Sequence, residues 1–155
     1  MRMLLRPLHL SCIVLALAIL STGCDFLSGS EESEVDDALR QRLEQERAKW
    51  QEQGITTYRL ELGQRIGTTQ VDTVKVFVRG GTVDSIYTSR EIPQDEVAVT
   101  TVDSFFNRIK DRIGEDTSEF TADFDEERGY PIEYRAGLED EPNEVVVTHG
   151  LYTDL

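Results

Sequence analysis

One acidic stretch of the chain combines residue types and spacing that suit a metal ion. Asp123, Asp125 and Glu127 stand at alternate positions, and calcium binds carboxylate oxygens that a short loop presents in this way. In an EF-hand loop the glycine stands sixth and a bidentate acid twelfth, whereas here, counting from Asp123, Gly129 is seventh and Tyr134 is twelfth. The pattern therefore favours a hairpin turn, and the three acids remain an alternative calcium site.

Acid–base catalysis is a second interpretation of the carboxylates. Glycoside hydrolysis needs two facing carboxyl groups, but a chain with 30 acidic residues brings such pairs together by chance. Ser104 follows Asp103 on a predicted helix, without the strand-to-helix turn that exposes a nucleophilic serine, and His149 stands near a predicted strand end. Gly80 and Gly81 belong to a hairpin and not to a phosphate loop of the pattern G-x-x-x-x-G-K. A small acid-dependent hydrolase stays open as an alternative, without a catalytic signature.

Four aromatic residues are the candidates for a ligand-facing group. Trp50 lies on the first predicted helix, and Tyr58, Tyr130 and Tyr134 lie on predicted strands. Tryptophan and tyrosine combine an apolar ring with a polar tip, so they suit both a binding surface and the packing of a helix on a sheet. Packing is the favoured interpretation, ligand contact is the alternative, and no motif indicates a cofactor.

The N-terminal segment has the order of parts found in a secretory signal. Two arginines precede an apolar run at residues 13–20, which is under half of the roughly 20 residues that a membrane-spanning helix needs. The motif S-T-G-C at 21–24 then resembles the lipobox read by the lipoprotein signal peptidase, with Ser21 where the box usually has Leu, Val or Ile. We predict that residues 1–23 are a signal peptide and that Cys24 becomes the lipidated first mature residue.

Lipidation of Cys24 also accounts for the cysteine count. Once residues 1–23 are removed, Cys24 is the only cysteine and His149 the only histidine. An internal disulfide is then excluded, and so is a zinc site built from Cys and His, which needs three or four ligands. Several acyl chains, palmitate among them, give a stable membrane anchor. An ordinary signal peptide with a free Cys24 is the alternative, and Asp25, which resembles a retention signal of enterobacterial inner membranes, leaves the choice of membrane open.

The charge of the chain limits its partners. The formal net charge is −14, and only three lysines occur. Nucleic acid is excluded because phosphate binding needs clusters of lysine and arginine, and an anionic membrane repels the chain unless the lipid anchor holds it. Few lysines among many acids resemble proteins of halophiles, in which salt screens the self-repulsion; an ordinary acidic exported protein is the alternative.

A short segment links the anchor to the first predicted helix. Residues 24–34 are small, polar and acidic, which predicts a flexible tether. The helix is expected to begin near Ser33, which has the spacing of a capping box, and to end at Gly54 as a left-handed cap. Residues 35–155 suit one domain.

The second predicted helix carries the clearest apolar stripe of the chain. It begins at Thr100 or Thr101 and ends at Gly114. Its apolar residues follow helical periodicity, at Val102, Phe105, Phe106, Ile109 and Ile113. Such a stripe predicts a helix that packs on a core.

Period-two alternation predicts three strands between the helices and three after the second one. The first strand, at 57–62, is followed by a loop at 63–69, and strands at 71–79 and 82–88 pair through the turn Gly80-Gly81. The last three strands lie near 120–124, 130–134 and 144–151. We predict an α+β fold in the order helix, three antiparallel strands, helix, three antiparallel strands, with the helices packed on one face of a twisted sheet.

Four motifs of the chain, taken in order, resemble a known family. They are K-W-Q-x-x-G-I-x-x-Y from Lys49, V-x-V-x-V-R-G-G-x-V from Val74, T-V-x-x-F-F from Thr101 and F-D-x-x-x-G-Y-P-I from Phe124. The ordered set is similar to the bacterial lipoprotein family called domain of unknown function 6174, from about residue 48 to 149. Many members carry a cysteine pair after the first strand, where this chain has G-Q-R-I-G, so any role of that pair is absent.

The sequence indicates an extracytoplasmic envelope lipoprotein, anchored to a bacterial membrane through a lipid on Cys24. A non-catalytic binding or supporting role is expected, with an envelope protein as its partner. The alternatives are the small hydrolase and a peptidase-inhibitor-like module, because the G-Y-P strand is loosely similar to PepSY domains.

Overall fold

The computed structural model describes residues 30–90, 92–113, 120–137 and 142–154. The predicted signal peptide, Cys24 and the first part of the predicted tether lie outside these residues. The elements, in chain order, are α1 (Ser30–Glu52), β1 (Tyr58–Ile66), β2 (Thr69–Arg79), β3 (Thr82–Thr88), a 3-10 turn (Gln94–Glu96), α2 (Val102–Arg112), β4 (Phe120–Phe124), β5 (Pro131–Gly137) and β6 (Pro142–Tyr152).

The strands form one antiparallel sheet in the order β3-β2-β1-β6-β5-β4. The predicted class, α+β with an antiparallel sheet, is therefore confirmed. The two halves of the sheet join where β1 pairs with β6, from Arg59 opposite Tyr152 to Ile66 opposite Glu144. Alternate residues of the strands and the apolar sides of both helices meet in one buried cluster.

The N-terminus of α2 is fixed by side chains that the sequence places there. Thr101 accepts a hydrogen bond from the amide of Ser104, and the Ser104 hydroxyl accepts one from the amide of Thr101. This reciprocal capping box satisfies two of the amides that a helix start leaves without partners. The predicted stripe from Val102 to Ile113 is buried, whereas the predicted end at Gly114 lies outside the described residues.

The helix α1 packs on α2 and on the end of β4 with the turn that follows it. Its arginines Arg42 and Arg47 stand over the rings of Phe124 and Phe106, 5.2 and 5.8 Å from the ring centroids. At this contact Gly129 has φ +81, and a Cβ there would stand 2.5 Å from the carbonyl oxygen of Glu46. The close approach of the turn to the helix therefore requires glycine at this position.

The structure corrects several predicted element bounds. β1 runs through most of the predicted loop 63–69 and ends at Ile66, because it is hydrogen-bonded to β2 on one side and β6 on the other. The buried side chain of Gln64 stabilises this extension by accepting a hydrogen bond from the amide of Ala98 at 2.9 Å. Pairing on both edges outweighs the low strand propensity of the G-Q-R segment.

The starts of three further elements also differ from the prediction. α1 begins at Ser30 instead of Ser33, since a capping box marks a favourable start but does not prevent earlier residues from continuing the helix. β2 begins at Thr69 and β6 at Pro142, each two residues before its predicted start, because Thr69 already pairs with Ile66 and Pro142 with Gly137.

Candidate functional site

The side of the sheet that faces away from α1 and α2 is not covered by any described element, and we call it the open face. In β1 the residues Tyr58, Leu60 and Leu62 are buried in the core, and Arg59 and Glu61 alternate with them on the open face. Because neighbouring strands pair in register, the same alternation continues across the sheet. Arg59, Glu61 and the residues that continue their alternation on the neighbouring strands therefore form the open face.

Aromatic residues occupy one end of the open face. Phe77 and Tyr87 contact each other edge to face, with 5.8 Å between ring centroids. The guanidinium of Arg59 stands 4.2 Å from the ring centroid of Tyr152, within the range of a cation–π interaction. Tyr87 is 61% exposed and Tyr152 43%. Gly150 lets the Tyr152 ring lie across the strand, because a Cβ at Gly150 would stand 2.8 Å from that ring.

An open depression of about 340 Å³ lies further along β1 and β6 on the same face. Val145 and Val147 of β6 line it, and Val145 stands between Arg65 of β1 and Arg135 of β5 in the strand register. Val147 pairs with Gly63, which has no side chain. The depression thus has apolar residues at its centre, an arginine on either side and open space at the glycine.

Each of the two arginines has one hydrogen-bonded partner among the described residues. An Nη of Arg65 donates to the carbonyl oxygen of Pro142 at 2.9 Å, and Nε of Arg135 donates to the Glu133 carboxylate. A guanidinium has five N–H donors, so each arginine keeps donors for another acceptor. His149 also lines the depression, and its described lining contains no carboxylate.

A buried ion cluster lies on the opposite side of the sheet, between β6 and α2. The Glu144 side chain is 3% exposed, and it accepts hydrogen bonds from Nε of Arg108 and, at 2.9 Å, from an Nη of Arg112. Hydrogen bonding to Glu144 raises the pKa of Arg108. Burial, followed by the charge of Glu144, raises the pKa of Tyr134, whose hydroxyl has no geometric hydrogen bond among the described residues. The cluster holds α2 against the sheet.

The alternative calcium site is used as a turn. Oδ1 of Asp125 accepts hydrogen bonds from the amides of Glu127 and Arg128, at 3.1 and 2.7 Å. Asp123 lies in β4, opposite Glu133 of β5. Among the described residues there is no group of three or more His, Cys, Asp or Glu side chains arranged to hold a metal ion.

The four aromatic candidates are used in packing. Trp50 contacts the rings of Tyr58 and Tyr130 edge to face, with 5.7 and 6.1 Å between centroids. Trp50, Tyr58 and Tyr134 are 4%, 3% and 0% exposed. The hydroxyl of Tyr58 accepts a hydrogen bond from the amide of Val102 at 3.1 Å, and burial raises the pKa of Tyr58. The structure brings Trp50, Tyr58 and the partly buried Tyr130 together at the edge of the core and places Tyr134 beside Glu144.

The sequence reasoning missed the depression and the buried ion cluster. Both depend on which residues of β6 face the core: Glu144 and Val146 point inward, and Val145 and Val147 point outward. The sequence does not reveal this alternation, because three consecutive valines make both faces of the strand apolar. The available signal was Arg108 with Arg112, spaced by four beside the apolar stripe of α2 and requiring an acidic partner.

The predicted lipidation site, Cys24, lies outside the described residues, so its modification stays a prediction. None of the described helices combines the length and the apolar character that crossing a bilayer requires. The described chain begins in helix at Ser30, so residues 25–29 separate Cys24 from α1.

Comparison with known proteins gives one match. Residues 42–145 match the model of a family described as Family of unknown function (DUF6174). No curated protein matches the chain, and no solved structure matches it.

Proposed function

The chain belongs to the DUF6174 family of unknown function, and from that premise we propose that it is a lipid-anchored envelope lipoprotein that binds another envelope component without catalysis. The anchor is the lipid on Cys24, and the binding surface is the open face. The domain is then held outside the cytoplasm, on a bacterial membrane.

The observation that supports this proposal is the position of the exposed aromatic residues. Tyr87 and Tyr152 are the exposed large hydrophobic residues of the described part of the chain, and both lie on the open face. Phe77 and Arg59 contact their rings. Aromatic and arginine side chains are enriched in protein interfaces and dominate their energetics. An uncovered sheet with this composition suits a docking surface better than a reaction site.

Asp123 and Glu133 stand opposite each other on this face, but neither lines the depression, and Glu133 is ion-paired with Arg135. The described lining of the depression supplies arginine, histidine, glutamine and valine in place of the facing carboxylates of an acid-dependent hydrolase. An inhibitor-like module needs a protruding hairpin. Among the described turns, the one between β2 and β3 does not protrude, because it is hydrogen-bonded to the body of the domain. The amide of Gly81 donates to the carbonyl oxygen of Thr56 at 2.8 Å, so the turn lies against the start of β1.

Site-specific photocrosslinking in the native envelope tests the binding surface. A photoreactive residue at Tyr87 or Tyr152 is expected to give one defined adduct, identified by mass spectrometry, that disappears when Phe77 is replaced by Ser. The matched control is Lys110 on α2, whose side chain is 54% exposed and points away from the open face. No adduct at either tyrosine, or the same adduct from Lys110, contradicts the proposed surface.

Detergent partitioning tests the anchor separately. The wild-type chain is expected to enter the detergent phase, and Cys24→Ser is expected to stay in the aqueous phase, because several acyl chains dominate the membrane affinity. A Cys24→Ser variant that still enters the detergent phase contradicts lipidation at this residue.

A further inference from the structure

The centre of the depression is a valine between two arginines. Val145 pairs with Arg65 on one side and with Arg135 on the other. Neighbouring strands lie about 4.8 Å apart, so the Cα atoms of the two arginines stand roughly 10 Å apart across the valine. All three residues line the same depression. An anion placed above Val145 would lie between these two arginines, and each guanidinium would turn toward it from its present partner, the Pro142 carbonyl oxygen or the Glu133 carboxylate.

The chemistry of these groups suits an oxyanion, and a carboxylate is the smaller of the two oxyanions, carboxylate and phosphate, that arginine binds through paired donors. Arginine binds carboxylates through paired N–H donors, a geometry that lysine does not offer. Arg65 donates one hydrogen bond to the Pro142 carbonyl oxygen and Arg135 donates one to the Glu133 carboxylate. Each guanidinium therefore has further N–H donors for a ligand. The described lining contains no acid, and the acid that borders it, Glu133 opposite Val147, is ion-paired with Arg135.

The rest of the depression limits the size and character of the ligand. Val147 extends the apolar floor along β6, and Gly63 beside it leaves the space of a missing side chain. A volume of about 340 Å³ lies near the lower end of the range for small-molecule sites. The site therefore suits a short aliphatic group attached to the carboxylate.

We propose that this depression binds the carboxylate of a short aliphatic acid, either free or as the C-terminal residue of a peptide, with the acid group between Arg65 and Arg135 and the aliphatic group on Val145 and Val147. The proposal deepens the proposed binding role and rests on it. Glu133 competes with the ligand for Arg135, because its carboxylate already accepts a hydrogen bond from Nε of that arginine.

Ligand-observed NMR with the full chain in detergent micelles tests the proposal. The probes are isovalerate, the uncharged isovaleramide, and a pentapeptide ending in Val with a free or an amidated C-terminus. Isovalerate or the free-acid peptide is expected to bind at least tenfold more tightly than its amide, because hydrogen bonds to a charged group are the stronger ones. Preference for the peptide assigns the site to a chain terminus, and preference for isovalerate assigns it to a free acid. Equal binding of acid and amide overturns the proposal.

Substitutions in the depression locate the binding. Arg65→Met and Arg135→Met are each expected to weaken binding of the acid about tenfold or more, and Glu133→Gln is expected to tighten it by freeing Arg135. The matched control is Lys75→Met, on the same face but outside the lining, which should leave binding unchanged. Far-ultraviolet circular dichroism confirms that each variant is folded.

The outcomes separate this proposal from the proposed function. If Tyr87 and Tyr152 still crosslink to an envelope component while neither acid binds, the carboxylate site is wrong and the binding role stands. If the acids bind but no adduct forms, the carboxylate site stands and the partner surface is wrong. Unchanged binding in both arginine variants overturns the assignment of the site.

Discussion

Glu144→Gln removes one negative charge from the buried ion cluster and keeps nearly the same side-chain volume. In the native domain the Glu144 carboxylate is 3% exposed and accepts hydrogen bonds from two arginines of α2. In the native domain Arg108 and Arg112 donate to different oxygens of Glu144, so in the variant one of them faces an NH2 donor in place of an acceptor. The expected result is a loss of stability without a change of fold.

The size of the loss follows from how far the partners are buried. Removing one member of a buried ion pair costs about 3–5 kcal/mol. The side chains of Arg108 and Arg112 are 30% and 32% exposed, so water partly replaces the lost partner. We therefore expect a decrease in the free energy of unfolding of about 3 kcal/mol, at the lower end of that range.

Urea unfolding followed by circular dichroism measures this decrease, with the slope of the transition as a check that the unfolded state is unchanged. The matched control is Glu133→Gln, whose ion pair with Arg135 has side chains 30% and 52% exposed. Such a pair contributes about 0.5 kcal/mol. In a background where Arg108 and Arg112 are both Met, Glu144→Gln should cost less than about 1 kcal/mol, because the interaction is already absent.

Equal destabilisation of the domain by Glu144→Gln and Glu133→Gln would contradict the expected role of the ion cluster. An unchanged cost of Glu144→Gln in the double-Met background would also contradict it, since the loss would then arise from Glu144 alone. Either result would mean that the ion cluster does not hold α2 on the sheet.

Three other changes test the packing. Tyr58→Phe should lower the free energy of unfolding by about 1–2 kcal/mol in urea titrations, because it leaves the buried first amide of α2 without an acceptor; no loss would contradict that hydrogen bond. Tyr134→Phe should change stability by less than about 0.5 kcal/mol at pH 7, because no described residue meets the distance and angle criteria for a hydrogen bond to the hydroxyl. Burial raises the pKa of Tyr134 in the folded domain, so this hydroxyl ionises at a lower pH in the unfolded chain than in the folded one. The free energy of unfolding therefore falls as the pH rises above about 10. Tyr134→Phe should reduce that fall, measured between about pH 9 and 11. Gly129→Ala should cost at least about 2 kcal/mol more than Gly54→Ala, because both glycines have positive φ but only the Cβ at Gly129 meets a backbone oxygen of Glu46; equal thermal shifts would contradict the contact.

The parts of the fold that the sequence predicts well are those set by local chemistry. Gly80 and Gly81 both have positive φ and join β2 to β3, as two adjacent glycines between alternating strands indicate. The stripe from Val102 to Ile113 is buried in the core, because helical periodicity identifies a buried face without knowledge of the partner.

What the sequence did not predict depends on partners far along the chain. The segment from Gly63 to Ile66 reads as a loop by composition and becomes strand because two neighbours pair with it. Glu144 reads as part of an acidic turn and becomes a buried partner of α2. In the candidate site, Arg65 and Arg135 are 70 residues apart, and only the register through Val145 brings them to one depression.

The position of β6 in the sheet has a consequence for how the domain folds. This strand is the last one described, yet it lies between β1 and β5 at the centre of the sheet. Its pairing joins residues as distant as Arg59 and Tyr152, and closing so long a loop slows folding. Until β6 is in place, β1 and β5 each present an unpaired edge, which invites pairing with another chain. Chains in which β6 has not yet paired are therefore expected to be the most prone to aggregation.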